Sequence, residues 1–183
     1  MKVPTIIFKN FMLRDVKLED YKDMYEYGSD LRVCKTLNWG PYNDILDAKY
    51  AIKNIFLKRP ADGLPIGYAI VDLDNNKMIG TIDFHTKTSN GAEIGYCLNY
   101  NYHNRGIMSA ALGQLIKIGF NILGYDFIIV GHVIDNLASK KVITNNNFKF
   151  DKISDKGFYD RFENIYKPVY WYKLTKEDYY HDK

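Results

Sequence analysis

The sequence predicts an α/β (α+β) fold: a mixed, mostly antiparallel sheet of about seven strands with one parallel strand–helix–strand crossover. Three observations carry this. Two hairpin signals, Asp74-Asn75-Asn76-Lys77 and Asn90-Gly91, separate runs rich in apolar and β-branched residues. A long segment, residues 107–123, places Met108, Ala111, Leu112, Leu115, Gly119 and Ile122 on one face at helical spacing. That helix lies between two strand-like runs, 92–99 and 127–133, which makes a right-handed parallel crossover.

The remaining elements follow in order. Residues 6–14 read as a first strand. Residues 17–27 begin a helix, with Leu18, Tyr21, Met24 and Tyr25 at helical spacing. Residues 37–43 form a loop broken by Gly40 and Pro41. Asp44 caps a second helix running to Leu57, with Ala48, Ala51, Ile52 and Ile55 inward. Strands 66–73 and 78–84 flank the first hairpin turn, and 92–99 follows the second. Gly124 stops the long helix. Residues 127–133 are dense enough in apolar and β-branched side chains for a buried strand. Asp135 or Asn136 caps a short helix to about residue 146, and Asn147 takes its left-handed end. Strands 148–153 and 168–175 close the chain.

Composition bounds the function. The chain has 183 residues, enough to bury the core of one domain, and no repeat or Pro/Gly/Ser-rich linker divides it. A net charge of +3 is too small to argue for nucleic acid. Cys34 and Cys97 match neither a metal spacing nor a disulfide framework, which suits a reducing cytoplasm. The sequence shows neither a signal-peptide run nor a membrane-length apolar segment. Four histidines lack metal-ligand spacing, so no metal is expected. His132 reads as a satisfied core histidine, and His85 and His103, near turns, as solvated.

The most informative stretch is Tyr102-His103-Asn104-Arg105-Gly106-Ile107-Met108-Ser109-Ala110-Ala111. It joins a strand to a helix N-terminus, where free N–H groups and the positive dipole end favour an anion. Gly106 lets a phosphate approach the backbone. Neither G-x-G-x-x-G nor Gly-Lys-Ser/Thr occurs, which argues against a dinucleotide fingerprint and a nucleotide-hydrolysing P-loop.

That segment resembles the acyl-CoA-binding motif of the GNAT N-acetyltransferases, and more narrowly of their RimJ/RimL-like branch. Leu13-Arg14-Asp15 with Glu19-Asp20-Tyr21, Leu37-Asn38-Trp39-Gly40-Pro41, and Glu93-Ile94-Gly95-Tyr96-Cys97-Leu98 resemble successive segments of that branch. So do Asn136-Leu137-Ala138-Ser139-Lys140-Lys141-Val142, Asn147-Phe148 and Tyr170-Trp171-Tyr172-Lys173-Leu174-Thr175. The resemblance spans nearly the whole chain in order and implies a GNAT-like sheet with helices on both faces. The chain departs from the family pattern at several positions. His103 stands where Gln or Arg is general, Ala110 where the branch carries an acidic residue, and Asn147 where it carries Gly. Ile143 occupies the place of the tyrosine that many members use as the acid for the leaving thiolate.

The resemblance implies acetyl-CoA as donor. Its pyrophosphate is expected on the N–H groups of Asn104, Arg105, Gly106, Ile107, Met108 and Ser109, with His103 also in contact with the cofactor. Its pantetheine is expected along the strand ending at Cys97 and Leu98, near Asn136 and Ser139. A backbone N–H at Cys97 or Leu98 facing the thioester oxygen is worth roughly 3 kcal/mol as charge develops there. Glu93 is the candidate base, and Ser139 the candidate donor to the sulfur. A terminal amine costs about 1 kcal/mol to deprotonate at pH near 7, and a lysine or polyamine amine about 4.6 kcal/mol. Trp39, Tyr42, Phe158, Tyr159 and Tyr166 fall in loops that shape the acceptor site in this branch, with Glu93 beside them. Residues 157–162 read as a mobile or interfacial hairpin. Cys97 reads as a small strand apolar, with an acyl-carrying role as the alternative.

The expected activity is transfer of an acetyl group to a primary amine by direct attack in a ternary complex, positioning supplying much of the rate. The branch suggests the N-terminal amine of a protein, ribosomal proteins included. Small amines, polyamines and antibiotics are the alternatives, and a non-catalytic acyl-CoA-binding module is the rival from another class. The expected partners exclude nucleic acid and membrane, and the protein is expected to act as a monomer or homodimer.

Overall fold

Two strands, β1 (Ile6–Phe8) and β2 (Phe11–Asp15), form a hairpin about Lys9 and Asn10, with Lys9 at φ 49°. The structure, a computed structural model, describes residues 4–181. This hairpin replaces the single strand expected over residues 6–14. Its signature is a phase change: the apolar positions switch from Ile6 and Phe8 to Phe11 and Leu13 across Lys9-Asn10. A two-residue turn has that effect on a period of two.

A 3-10 turn, Leu18–Asp20, leads into α1 (Tyr21–Gly28), followed by the short α2 (Leu31–Cys34) and α3 (Ile45–Asn54). Asp44 caps α3 through Leu46 N, and Asp47 completes a capping box. The helix stops at Asn54, so Ile55, expected inward, is 47% exposed. A 3-10 segment containing Pro60, Phe56–Asp62, follows.

β3 (Tyr68–Asp72), β4 (Lys77–Lys87) and β5 (Gly91–Leu98) form the expected meander. α4 (Ile107–Asn121) crosses to β6 (Phe127–Val133), which is parallel to β5. Ile122 lies beyond the end of α4 and is 53% exposed, so it leaves the inward face expected for it. Asn136 caps α5 (Leu137–Thr144), and Asn147 takes the left-handed conformation at φ 62°. β7 (Lys149–Asp160), β8 (Ile165–Thr175) and α6 (Lys176–His181) complete the chain. β7 and β8 are longer than expected. Gly157, Phe158, Tyr159 and Asp160 are strand residues beyond a bulge, not a loop.

The eight strands run in the order β1-β2-β3-β4-β5-β6-β8-β7, with β5–β6 the parallel neighbours. Each face of the sheet carries its own core. On one face α4 buries Ile107, Ala111, Leu112, Leu115 and Phe120 against Ile70, Ile82, Ile94 and Val130. On the other, α1 and α3 bury Met24, Tyr27, Ala48 and Ile52 against Ala69, Val71, Met78 and Cys97. Strand alternation sorts β5: Ala92, Ile94, Tyr96 and Leu98 face α4, whereas Cys97 faces α1 and α3. Each fully buried Leu or Ile contributes roughly 2 kcal/mol.

Candidate active site

β5 and β6 pair only through Gly91↔Phe127, Ala92↔Ile128 and Glu93↔Ile129. Beyond Glu93 the strands splay. Asn99 N donates to Ile79 O of β4 at 2.7 Å. Alternation therefore turns Leu98 N–H the other way, into the splay, and Cys97 N–H toward β4. Of the two donors expected for the thioester oxygen, Leu98 has the orientation.

A cleft of about 450 Å³ opens at this end of the sheet, between the first turns of α4 and α5 and the residues of α2. Every cofactor-contact residue named from the sequence lines it: Cys97 and Leu98, residues 103–109, and Asn136 and Ser139. α4 starts at Gly106, in the left-handed region at φ 70°, and no side chain caps its first N–H groups. Those groups are available to an anion. Lys9 lies beside them: its Nζ is 3.8 Å from where a Cβ on Gly106 would stand. An ammonium at the positive end of a helix is opposed by the dipole, and an anion between the two reverses that. Lys9 has no local sequence signal, because the β1–β2 turn delivers it from far along the chain.

His103 is not simply solvated. Its Nε2 meets Leu98 O at 3.0 Å, and its ring lies 5.1 Å from that of Tyr100. Arg105 donates to Asn101 O at 2.8 Å, with its guanidinium 5.1 Å from the Tyr102 ring centre. Asn136 Oδ1 accepts from Ser139 N at 3.0 Å, while its Nδ2 donates to Thr36 Oγ1 at 2.8 Å. The α5 cap is thereby tied to the residues following α2. The Ser139 hydroxyl lies 2.8 Å from the Tyr96 phenol. Ile143, one turn further along α5, is 0% exposed in the core and carries no proton to donate. Cys97 is buried, with its thiol 3.3 Å from the Thr81 hydroxyl. Burial pushes that thiol up to about 11, which suppresses the thiolate an acyl carrier needs.

The residues named for the acceptor side do not line this cleft. Glu93 Oε1 meets His85 Nε2 at 3.1 Å, and His85 Nδ1 lies 2.8 Å from Thr86 Oγ1, so His85 is engaged and not merely solvated. Trp39 and Tyr42 stack at 5.2 Å, and the Tyr42 ring sits where a Cβ on Gly28 would be. Tyr159 is 47% exposed and packs on Tyr166 at 5.1 Å. Two cations fasten this region. Arg161 donates to Leu37 O and Trp39 O, each at 2.9 Å, and to Gly40 O. Lys167 Nζ meets Asp135 and Asp160 at 2.9 Å and Glu163 at 3.0 Å, which raises its pKa. Neither cation belongs to a recognisable motif.

His132 is half satisfied. Its Nδ1 meets Val133 O at 2.8 Å, but its buried Nε2 has no hydrogen-bond partner among the described residues. Burial lowers its pKa.

No helix among the described residues is long and apolar enough to cross a membrane. No group of three or more His, Cys, Asp or Glu among them is placed to hold a metal.

Residues 10–149 match the family model of the acetyltransferase (GNAT) domain. The chain is 30% identical over 177 residues, covering 96% of it and 98% of the relative, to the uncharacterized N-acetyltransferase p20 of Bacillus licheniformis. Among solved structures it is similar to RimL, a ribosomal L7/L12 alpha-N-protein acetyltransferase in complex with coenzyme A. The TM-score is 0.82 at 21% identity, covering 96% and 99% of the two chains. It is also similar to a spermidine N-acetyltransferase from Vibrio cholerae in complex with CoA and spermine. There the TM-score is 0.78 at 13% identity, covering 93% and 98%. The chain belongs to the GNAT acetyltransferase family and is an N-acetyltransferase that uses acetyl-CoA as its donor.

Proposed function

We propose that this chain, acting as one catalytic domain, acetylates the N-terminal amine of a protein or peptide by direct attack on acetyl-CoA in a ternary complex. The observation that carries this reading is the state of the carboxylates around the acceptor side. Asp83 is ion-paired with Arg59, while Asp135, Asp160 and Glu163 all surround Lys167. Asp44 and Asp47, next to Tyr42, are taken up in capping α3, and Glu93 is the one of these carboxylates whose partner is an imidazole. A polyamine or aminoglycoside carries several ammonium groups, each needing its own carboxylate. A single amine of low pKa needs one base. The resemblance to the RimJ/RimL branch supports the same acceptor.

On this reading the donor's pyrophosphate rests on the N–H groups of residues 104–109, with Lys9 and Arg105 beside it. Leu98 N–H meets the thioester oxygen. Glu93, directly or through a water, takes the amine proton, and His85 holds its carboxylate in place. Ser139 faces the sulfur.

The test is thiol release from acetyl-CoA across peptides with free N-termini, spermidine and an aminoglycoside. Turnover is expected on peptides, and preference for spermidine overturns the reading. Glu93→Gln should lower kcat by about a hundredfold and abolish the acidic limb of the rate profile. An unchanged rate and profile removes Glu93 from the mechanism.

A further inference from the structure

The reaction leaves a sulfur that must carry an electron pair, and the position where many family members place a tyrosine holds Ile143, sealed in the core. A different tyrosine lines the cleft. Tyr96 and Leu98 are two residues apart on β5, so both face the α4 side of the splay, and both border the cleft. The Tyr96 phenol lies 2.8 Å from Ser139 Oγ and 3.3 Å from Ser139 O.

Either hydroxyl can donate across the shorter contact. A phenol proton spent on the carbonyl would leave the Ser139 hydroxyl to donate to the phenol. With the phenol proton on the nearer oxygen, Ser139 Oγ, the phenol is the donor. In that arrangement the Ser139 hydroxyl is an acceptor and its own hydrogen is free. Its backbone N–H is held by Asn136 at 3.0 Å, so the residue is pinned on two sides. The open direction is the cleft.

We propose that Tyr96 is a positioning residue that orients the Ser139 hydroxyl as a hydrogen-bond donor to the coenzyme A sulfur. This rests on the reading of the cleft as the acetyl-CoA site. As the amine nitrogen bonds to the acetyl carbon, the C–S bond breaks and its electron pair stays on sulfur. Ser139 donates a hydrogen bond to that thiolate, and the phenol donating to Ser139 Oγ strengthens it by polarising the hydroxyl. The proton lost from the amine goes to Glu93 or water, and the thiolate takes its proton from solvent on leaving. No oxidant or further acid is required. The arrangement replaces an acid on the last helix by a hydrogen-bond relay from the strand.

The test uses binding alone and needs no acceptor. Coenzyme A and desulfo-coenzyme A, which lacks the thiol, are titrated calorimetrically into the whole protein at about pH 7 and pH 9, on either side of an ordinary thiol pKa. In the wild type the preference for coenzyme A over the desulfo analogue should grow as the thiol ionises. Tyr96→Phe should reduce that preference at the higher pH by about three- to tenfold while leaving desulfo-coenzyme A binding unchanged. Ser139→Ala should remove it, and Ser139→Thr should retain it. The cleft's other titratable groups, Arg32, Lys35, Cys97, Tyr100, Tyr102, His103, Arg105, Asp135 and Lys141, are common to all these proteins, so the difference isolates the pair. Equal loss of both ligands in Tyr96→Phe, or no change in either, overturns the proposal. Failure of the wild type to bind either ligand overturns the reading of the cleft on which it rests.

Discussion

The two halves of the proposed site are built in different ways. The donor cleft is made largely of backbone presented by one continuous segment, from the end of β5 through the start of α4, with the α5 cap beside it. The proposed acceptor side is assembled from segments far apart in sequence, held together by the side chains of Arg161 and Lys167. The donor half depends on chain geometry. The acceptor half depends on a few long-range ionic contacts, which can change without disturbing the fold. A scaffold divided in this way keeps one cosubstrate while its acceptor varies.

The largest expected effect breaks the donor half alone. A carboxylate placed by Gly106→Asp stands beside the proposed anion site, and at about 5 Å in a medium of effective dielectric near 20 the repulsion is roughly 3 kcal/mol. The left-handed backbone at φ 70° adds strain for any side chain. Coenzyme A affinity should fall by about a hundredfold or more, measured calorimetrically. Undiminished affinity would show that α4's N-terminus does not hold the phosphates.

The next effect should fall on the acceptor half and leave the donor half intact. Arg161→Ala removes the guanidinium that grips three carbonyls of the Leu37–Gly40 loop. Hydrogen bonds from a charged donor are worth about 1.5–3 kcal/mol each, part of which water restores at this half-buried site. The acceptor KM should rise about tenfold at unchanged coenzyme A affinity. Arg161→Lys should not rescue it, because an ammonium cannot reach several carbonyls in one plane. Equal losses on both substrates would mean that the two halves are mechanically one.

A smaller change tests whether Lys9 belongs to the donor half. Lys9→Ala should weaken coenzyme A about three- to tenfold at low salt, and the difference should shrink as salt is added. Because Lys9 is exposed and in a surface turn, the fold should tolerate the change. A salt-independent loss would point to altered packing of the β1–β2 hairpin and not to charge.

The same division explains what was legible in the sequence. Gly106, Asn136 and Ser139 sit in local chain geometry, in a left-handed turn and a helix cap, and short-range patterns report such geometry. The crossover and the meander were legible for the same reason. The β1–β2 hairpin was not, since Lys9-Asn10 lacks a glycine and only the phase of the apolar residues marks it. Ile55 and Ile122 were placed inward by a period that continues past the true helix ends. Tyr96 was within reach, since the alternation that faces Leu98 into the splay also faces Tyr96 there. Arg161 and Lys167 were beyond local reasoning, because their partners lie across the fold at Leu37, Trp39 and Asp135.

The smallest effect concerns how acid acts on the donor face. His132 stacks against Tyr170 at 5.7 Å and Tyr172 at 5.6 Å on that face, with Nε2 buried and unpartnered among the described residues. Burial lowers its folded pKa, whereas in the unfolded chain an imidazole titrates near about 6.5. Below that value the unfolded state binds more protons, so stability is complete above it and declines as pH falls. The limiting slope for one proton is about 1.4 kcal/mol per pH unit. Melting temperature between about pH 7 and pH 5.5, above the range where most carboxylates protonate, should fall in the wild type and fall less in His132→Phe. The aromatic replacement keeps the stack and removes the proton site. Identical slopes in the two proteins would mean that His132 finds a partner for its proton when charged. The acid sensitivity of the donor half would then have to come from groups that both proteins share.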